Sequence, residues 1–331
     1  MLLAGDIGGT KTNLAIIDPE AGFPPEADFA PWAEATFKSS DYPSLKAVVT
    51  EFLSDTRGHV ERAVFGVAGP VVDGKSATTN LPWSIAEDAL RQALDLEEVR
   101  LLNDLEATAY GVLHLPGSDL ASLNENVPRS GTRAIIAPGT GLGEAILFYH
   151  DGHYRVLASE GGHTDFGPNT LFEIELLRHL LGRFGHVSYE RICSGMGIPL
   201  IYEYLKENRF ADENPDVVAA LDEADDPTPV IVQAAMAQES DLCIAALNHF
   251  VSILGAEAGN LALKVMATGG IYVGGGIPPR ILPKLKDGTF MASFVNKGRF
   301  ADTLSHVPVC VILNPKAALL GAAACGLELE I

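Results

Sequence analysis

"GDIGGTKTNLAI", Gly5 to Ile16, is the stretch on which the reading of the whole chain turns. It is glycine-rich, carries a lysine and two threonines, and is built like a phosphate loop. A nucleotide-binding P-loop reads G-x-x-x-x-G-K-[ST] and opens a helix. Here Thr10 separates Gly9 from Lys11, and Asn13-Leu14-Ala15-Ile16-Ile17-Asp18 follows as a β-rich run that "PEAGFPP" breaks. Leu2-Leu3-Ala4 before the loop is also strand-like. The spacing predicts strand–turn–strand, a hairpin. Its glycines allow unusual backbone angles and leave room for a ligand. Successive backbone N–H groups, with the Thr10 and Thr12 hydroxyls, can point at phosphate oxygens. For this loop alone, an ordinary glycine-rich hairpin is the alternative.

The arrangement recurs. "RAIIAPGTGLGEAILFYHDG" is an apolar run, a Gly/Thr loop from Gly139 to Gly143, and a second apolar run ending at Asp151-Gly152. Two such hairpins in matching context predict a duplicated architecture, each half presenting one phosphate-facing turn.

Between and after them, strands and helices alternate. Helices are expected over Ser44–Leu53, after a Ser84-x-x-Glu87 capping box, over Leu105–Leu113, and after a Thr170-x-x-Glu173 box. In the last of these, Leu171, Ile174, Leu177, Leu181 and Phe184 fall on or near one face. Ala63–Ala68 and Val99–Leu102 read as strands. Asn208–Asp226 is acidic and expected at the surface. Ala234–Leu263 reads as one long, mostly helical apolar stretch. "KVMATGGIYVGGGIPPRI" reads as two short strands around a glycine turn, three glycines, then two prolines opening a helix. "HVPVCVILNP" is a final strand, and "KAALLGAAACGLEL" a terminal helix of small residues. No low-complexity linker divides the chain, so two closely joined lobes are expected.

Composition narrows the function classes. The chain has 331 residues, 47% of them hydrophobic, and a formal net charge of -20. Length favours two lobes with a large core. Nucleic-acid binding needs clustered Lys and Arg, so a polyanion is not expected to be such a binder. A local backbone site can still hold a small phosphate. Cys193, Cys243, Cys310 and Cys325 form no Cys-x-x-Cys pair and read as reduced, buried thiols. Met1-Leu2-Leu3-Ala4 lacks a basic region before it, and Asp6 interrupts the apolar run, so no signal peptide is expected. No uninterrupted apolar stretch approaches the roughly 20 residues of a membrane span. A soluble, cytoplasmic protein with no membrane or nucleic-acid partner is expected.

The chain resembles the bacterial glucokinase family, within the actin/hexokinase/Hsp70-like ATPase superfamily. The pieces that carry the resemblance are "GDIGGTKTNLAI", "TNLPW", "LLNDLEATAYG", "APGTGLGEA", "SEGGHTDFGP", "ERICSGMGI", "TGGIYVGGGIPPR" and "NPKAALLGAA". They run from the first strand to the last helix, in the family's order. The resemblance implies an α/β, two-lobed actin-like (ribonuclease H-like) fold with a duplicated mixed β-sheet and an interlobe cleft. It implies a small N-terminal lobe of residues 1–109 plus 315–331, and a large lobe of residues 110–314. It implies ATP-dependent phosphorylation of glucose on its 6-hydroxyl, with Mg²⁺, in a homodimer.

The resemblance also carries roles onto particular positions. Asn103 and Asp104 end a strand and open a helix, where Asn and Asp are favoured as caps. A carboxylate at a strand's end can equally take the proton of a sugar hydroxyl as the phosphoryl group arrives. Similarity to glucokinases makes Asp104 the catalytic base and a substrate ligand, and Asn103 a sugar ligand. Glu160 and His163 of "EGGHTDF" are too few for a standard metal motif with Asp165. The family makes them sugar ligands together with Glu190, and Asn80 adds a contact. Trp83 reads as packing.

For the nucleotide, the family makes Gly8, Gly9, Thr10 and Thr12 the first phosphate hairpin, and Gly139, Thr140, Gly141 and Gly143 the second. Gly274, Gly275 and Gly276 cradle the adenosine. Lys11 either contacts phosphate or lies on the surface. Asp6 is either a turn acid or a carboxylate near Mg²⁺, through water, as the superfamily favours. No G-x-G-x-x-G opens a βαβ unit, so a dinucleotide site is not expected.

Two departures place the chain within this group. Related repressor/ORF/kinase proteins carry a Cys-rich zinc motif after the sugar-binding histidine. Here no cysteine follows His163 before Cys193. Their N-terminal DNA-binding extension is not expected either, since the first hairpin begins within a few residues of Met1. The rival readings are a kinase of fructose, mannose or an N-acetylated sugar, a non-catalytic sugar- or nucleotide-sensing protein, and an actin-like polymerising ATPase.

Overall fold

The computed structural model describes residues 1–19, 31–56, 59–78 and 81–328. They divide into two compact units. The first takes the described residues of Met1–Leu120, Val156–Ala158 and Asn314–Ile331, and the second those of Ala121–Arg155 and Ser159–Leu313.

In the first unit the strands are β1 (Leu2–Ile7), β2 (Lys11–Ile17), β3 (Ala33–Lys38) and β4 (Arg62–Val67). A short ribbon, β5 (Lys75–Ala77) and β6 (Ser84–Ala86), precedes β7 (Glu98–Asn103). The main sheet runs β3-β2-β1-β4-β7. β1 pairs antiparallel with β2 and parallel with β4. Both of its faces are covered. Alternate residues point to opposite sides, so Leu3, Ile7, Leu14, Ile16, Phe65 and Leu101 meet Val48, Val49 and Phe52 of the Leu45–Ser54 helix. Leu2, Ala4, Ala15, Ile17, Val64 and Leu102 meet Ala107, Leu319, Ala322 and Cys325 on the other side. This two-sided burial is why β1 and β2 read as continuous apolar runs rather than alternating ones.

The second unit repeats the plan. Its strands are β8 (Leu120–Ser122), β9 (Arg133–Pro138), β10 (Leu142–His150), β11 (His153–Ser159), β12 (Gly270–Val273) and β13 (Val309–Ile312). The sheet order is β11-β10-β9-β12-β13-β8. β9 pairs antiparallel with β10 and parallel with β12, which pairs parallel with β13. Apart from the added β8, the order and sense match the first sheet, and each unit's first two strands are joined by a three-residue loop: Gly8-Gly9-Thr10 and Gly139-Thr140-Gly141. The duplication expected from the paired hairpins is present.

The Asp241–Val265 helix spans 25 residues and holds a stretch of mean hydropathy 1.4, long and apolar enough to cross a membrane by length and composition. It serves instead as the core helix of the second unit, where Leu247, Phe250, Val251 and Leu254 are buried against β9, β12 and the surrounding helices. A core helix is apolar all round, which is why it shares the length and composition of a membrane span.

Three local expectations are corrected. Ser84 does not cap a helix: it lies in β6 opposite Ala77, the helix begins at Glu87, and the Glu87 carboxylate accepts from the Leu101 N–H at 2.7 Å. The stretch over Ala234–Leu263 is mostly helical as expected, in two helices, Pro227–Met236 and Asp241–Val265. Gln238 takes φ 59°, and the Ser240 hydroxyl caps the second helix by accepting from the Cys243 N–H. Before "GIYV" there is no strand: the helix runs on to Val265, and left-handed Met266 ends it. In the Leu171–Leu181 helix, capped by Thr170 as expected, Leu176, Leu180 and Glu173 are buried while Leu171, Ile174 and Leu181 are exposed. Apolar residues on several sides of that helix left its inward face ambiguous. All four cysteines are free and buried, and Trp83 is buried with its indole N–H on the Tyr42 carbonyl.

Candidate active site

In the first unit, β1 and β7 deliver the chemistry at their carboxyl ends. The Gly8 N–H donates to the Lys11 carbonyl at 2.9 Å and closes the first loop. Thr10 and Lys11 are exposed, whereas Thr12 is fully buried. The Thr12 hydroxyl shares a 3.0 Å hydrogen bond with the Ser39 hydroxyl, which donates to the Gly8 carbonyl at 2.8 Å. Thr12 thus braces the loop from beneath, while Thr10 has its hydroxyl at the surface.

Asp6 lies one residue before the end of β1. Burial pushes its carboxyl above the usual range, and the Asn13 amide, donating at 3.2 Å, pulls the other way. Among the described residues no basic side chain forms an ion pair with it. A half-buried carboxylate with no counter-charge among the described residues suits Mg²⁺, which typically takes one or two carboxylates, phosphate oxygens and water.

Asn103 and Asp104 join β7 to the Asp104–Val112 helix. Asn103 caps it: its Oδ1 accepts from the Leu105 N–H at 2.8 Å, and Glu106 reaches back to the Asn103 N–H at 3.0 Å. The Asn103 amide also donates to the Gly69 carbonyl at 3.1 Å. One N–H of that amide is left for a ligand. Asp104 Oδ1 accepts from the Leu105 N–H at 2.9 Å, which fixes the carboxylate at the positive end of the helix. The helix is held by an unusually close crossing. A Cβ on Gly321 would collide with the Ala107 carbonyl, and one on Gly111 with the Ala317 carbonyl. The small residues of the terminal helix allow this backbone contact. Asn80 lies outside the described residues.

In the second unit the predicted sugar ligands gather beside the second loop. Glu160 begins a single 3₁₀ turn, Gly161–His163, in which the His163 N–H donates to the Glu160 carbonyl at 3.0 Å. Gly162 is required there, since a Cβ on it would strike the Leu142 carbonyl, and the space a Cβ on Gly161 would take is filled by the Glu144 carboxylate. His163 Nδ1 is 3.7 Å from Glu190 Oε1. Glu190 Oε2 accepts from the Leu142 N–H at 3.0 Å and fills the space over Gly141. One carboxylate therefore joins the histidine to the backbone of the glycine loop.

A cavity of about 910 Å³ opens on the same loop, lined by Gly139 and Thr140 on one side and Gly276, Ile277 and Arg280 on another. Its apolar wall includes Met196, Pro199 and Val232, which sequence reasoning missed because nothing distinguishes them from core residues until the fold brings them together. The size suits a nucleotide. The Gly139 N–H donates to the Gly141 carbonyl, and the Gly195 N–H to the Gly139 carbonyl at 2.7 Å. Gly143 continues in β10 opposite Ala137. Of the glycine triplet, only Gly276 borders the cavity. Gly274 meets Ile312 and Ala137, and Gly275, at φ 87°, backs onto Pro138. The expectation of unusual backbone angles is corrected: none of Gly8, Gly9, Gly139, Gly141 or Gly143 is left-handed. Around Gly139 and Gly276, the space a side chain would take is open. Glycine serves there by clearing room for a ligand.

The glucokinase family model matches residues 3–329. A glucokinase of Nostoc punctiforme is 38% identical over 343 residues, covering 99% of each chain. The crystal structure of a glucokinase from an Antarctic psychrotroph is 32% identical, covers 98% of each chain and superposes with a TM-score of 0.82. A glucokinase of the ROK family from Streptomyces griseus, solved in complex with glucose and AMPPNP, shares the fold at 22% identity and a TM-score of 0.63.

Proposed function

The chain belongs to the glucokinase family and is an ATP-dependent sugar kinase, and from that premise we propose how its own residues move the γ-phosphoryl group of ATP to the 6-hydroxyl of glucose. The observation that carries this reading is the double engagement of Glu190, which touches His163 through one oxygen and the glycine-loop backbone through the other. Groups suited to sugar hydroxyls and groups suited to phosphate are thereby fixed to each other within one unit.

Glu160, His163 and Glu190 hold the sugar. Carboxylates accept from paired hydroxyls, and imidazole donates or accepts. The family resemblance adds Asn103 and Asn80 as further sugar ligands. The cavity beside Gly139, Thr140 and Gly276 takes the nucleotide, and the backbone N–H groups of Gly9, Thr10, Thr140 and Gly141 are available to phosphate oxygens. Asp6 would hold Mg²⁺, directly or through water, and the ion would supply charge neutralisation for the transferring phosphoryl group. Asp104 accepts the 6-hydroxyl proton as that oxygen attacks in line. Most of the rate gain comes from holding acceptor and donor in register, because phosphoryl transfer needs little covalent chemistry from the protein. A homodimer in the cytoplasm belongs to the same proposal, and light scattering of the purified protein tests the assembly.

The test is kcat/KM with MgATP across glucose, fructose, mannose and N-acetylglucosamine. Glucose is expected to lead by about 10²-fold, because a site built for particular hydroxyls leaves polar groups unpaired with the wrong sugar. Chelating Mg²⁺ is expected to stop turnover and re-adding it to restore it. A clear lead for another hexose would reassign the substrate.

A further inference from the structure

β10 carries an acid where a strand residue buried on a sheet would be apolar. Glu144 lies opposite Ile136 and is 2% exposed. Its Oε1 is buried without a hydrogen-bond partner. The carboxylate occupies the space that a Cβ on Gly161 would need, so it lies directly under the turn that begins at Glu160 and ends at His163.

The groups packed around it are mostly acidic or neutral. From the Asp241–Val265 helix come Glu257, fully buried, and Lys264, whose ammonium is 3.1 Å from Glu257 Oε1. Asn260 donates to Glu257 Oε2 at 2.8 Å and to the Tyr189 hydroxyl at 3.0 Å. Tyr189 and Cys193 come from the segment that also holds Glu190. The Glu257 charge also acts on Lys297. On the covering turn stand Glu160 and His163.

We propose that Glu144 is a positioning residue for the sugar-binding turn: its neutral carboxyl supports Gly161–His163, and its ionisation lifts that turn and weakens sugar binding. The inference rests on the reading of Glu160 and His163 as sugar ligands. Burial, then the nearby Glu257 charge, pushes the Glu144 carboxyl up to about 7, with Lys264 acting in the opposite sense. The Cys193 thiol is pushed up by burial and by the same two carboxylates, so the pocket disfavours negative charge generally. A buried carboxylate without hydrogen bonds is costly and relaxes toward water. The turn covering Glu144 lies along that route. With the folded pKa raised, the neutral, turn-supporting form dominates below about 7 and is lost as pH rises through it.

Calorimetric titration of glucose into the full-length protein tests this. From about pH 6 to about pH 8.5 the wild-type Kd is expected to rise about fivefold, with its midpoint near neutrality. Glu144→Gln, isosteric and always neutral, is expected to keep the low-pH Kd and lose most of the rise. Glu257→Gln removes the like charge and is expected to move the wild-type midpoint to lower pH, which tests the idea even if Glu144→Gln does not fold. Superimposable wild-type and Glu144→Gln curves would overturn the proposal, as would a Glu144→Gln Kd that is high at every pH, or a midpoint unmoved in Glu257→Gln. Failure of the underlying reading looks different: no heat from glucose and no sugar phosphate from the wild type at any pH.

Discussion

Asp104→Asn is expected to lower kcat with glucose by about 10³-fold while glucose Kd changes by less than about threefold. The side chains are nearly the same size, and Asn is also a good residue at a helix start. The Leu105 N–H that Asp104 Oδ1 now binds at 2.9 Å can be held by an amide oxygen. The fold and the end of the helix should survive. The amide lacks the ability to take a proton from the sugar hydroxyl as its oxygen attacks. An effect on kcat alone therefore identifies the base, whereas an equal loss in binding would make Asp104 only a sugar ligand. Rapid-mixing single-turnover measurements, with saturating MgATP and glucose, isolate the chemical step. A variant retaining wild-type rates rejects the role outright.

Gly321→Val is expected to destabilise the protein by about 3 kcal/mol, near the upper end for overpacked sites. A Cβ at this position would collide with the Ala107 carbonyl and lie close to the Gly111 N–H. Backbone cannot move aside as a side-chain tip can, so the Ala317–Glu328 and Asp104–Val112 helices must separate. For a unit of this size the expected fall in Tm is about 10 °C. The consequence reaches function, because Asp104 is the first residue of the displaced helix. Protein that remains folded should show reduced kcat. Differential scanning calorimetry with parallel kinetics checks both. An unchanged Tm would mean that the two helices do not rely on this crossing.

The two effects mark what the sequence made legible. The Gly5–Ile16 hairpin could be read because a β-rich run, not a helical pattern, followed the loop, and the repeat at Gly139 made the duplication visible. The terminal helix could be read from its small residues, although not the reason for them, which is a crossing partner more than 200 positions earlier in the chain. Ser84 and Glu87 satisfied a capping pattern, yet pairing with Ala77 took Ser84 into a strand. Local propensity lost there to a tertiary contact. The break at Gln238–Ser240 was invisible because both flanking helices are apolar.

The site was legible in the same uneven way. Asp104 and Asn103 had a physical reading of their own at a strand-to-helix junction. Glu190 had none: only resemblance picked it out, and its meaning lies in contacts with His163 and Leu142, 27 and 48 residues away. Thr12 was taken for a phosphate ligand, but its hydroxyl braces the loop through Ser39. Glu144 did carry a signal, an acid inside the apolar run "GEAILF". Its place beneath Gly161 depends on how the next hairpin folds back.

The most direct test of the account is the stoichiometry of products. With purified protein, MgATP and glucose, ADP and glucose 6-phosphate are expected to appear in equal amounts, with ADP release close to nil when glucose is withheld. ADP released at the same rate with or without sugar, and no sugar phosphate, would contradict the account and leave an ATPase of another kind.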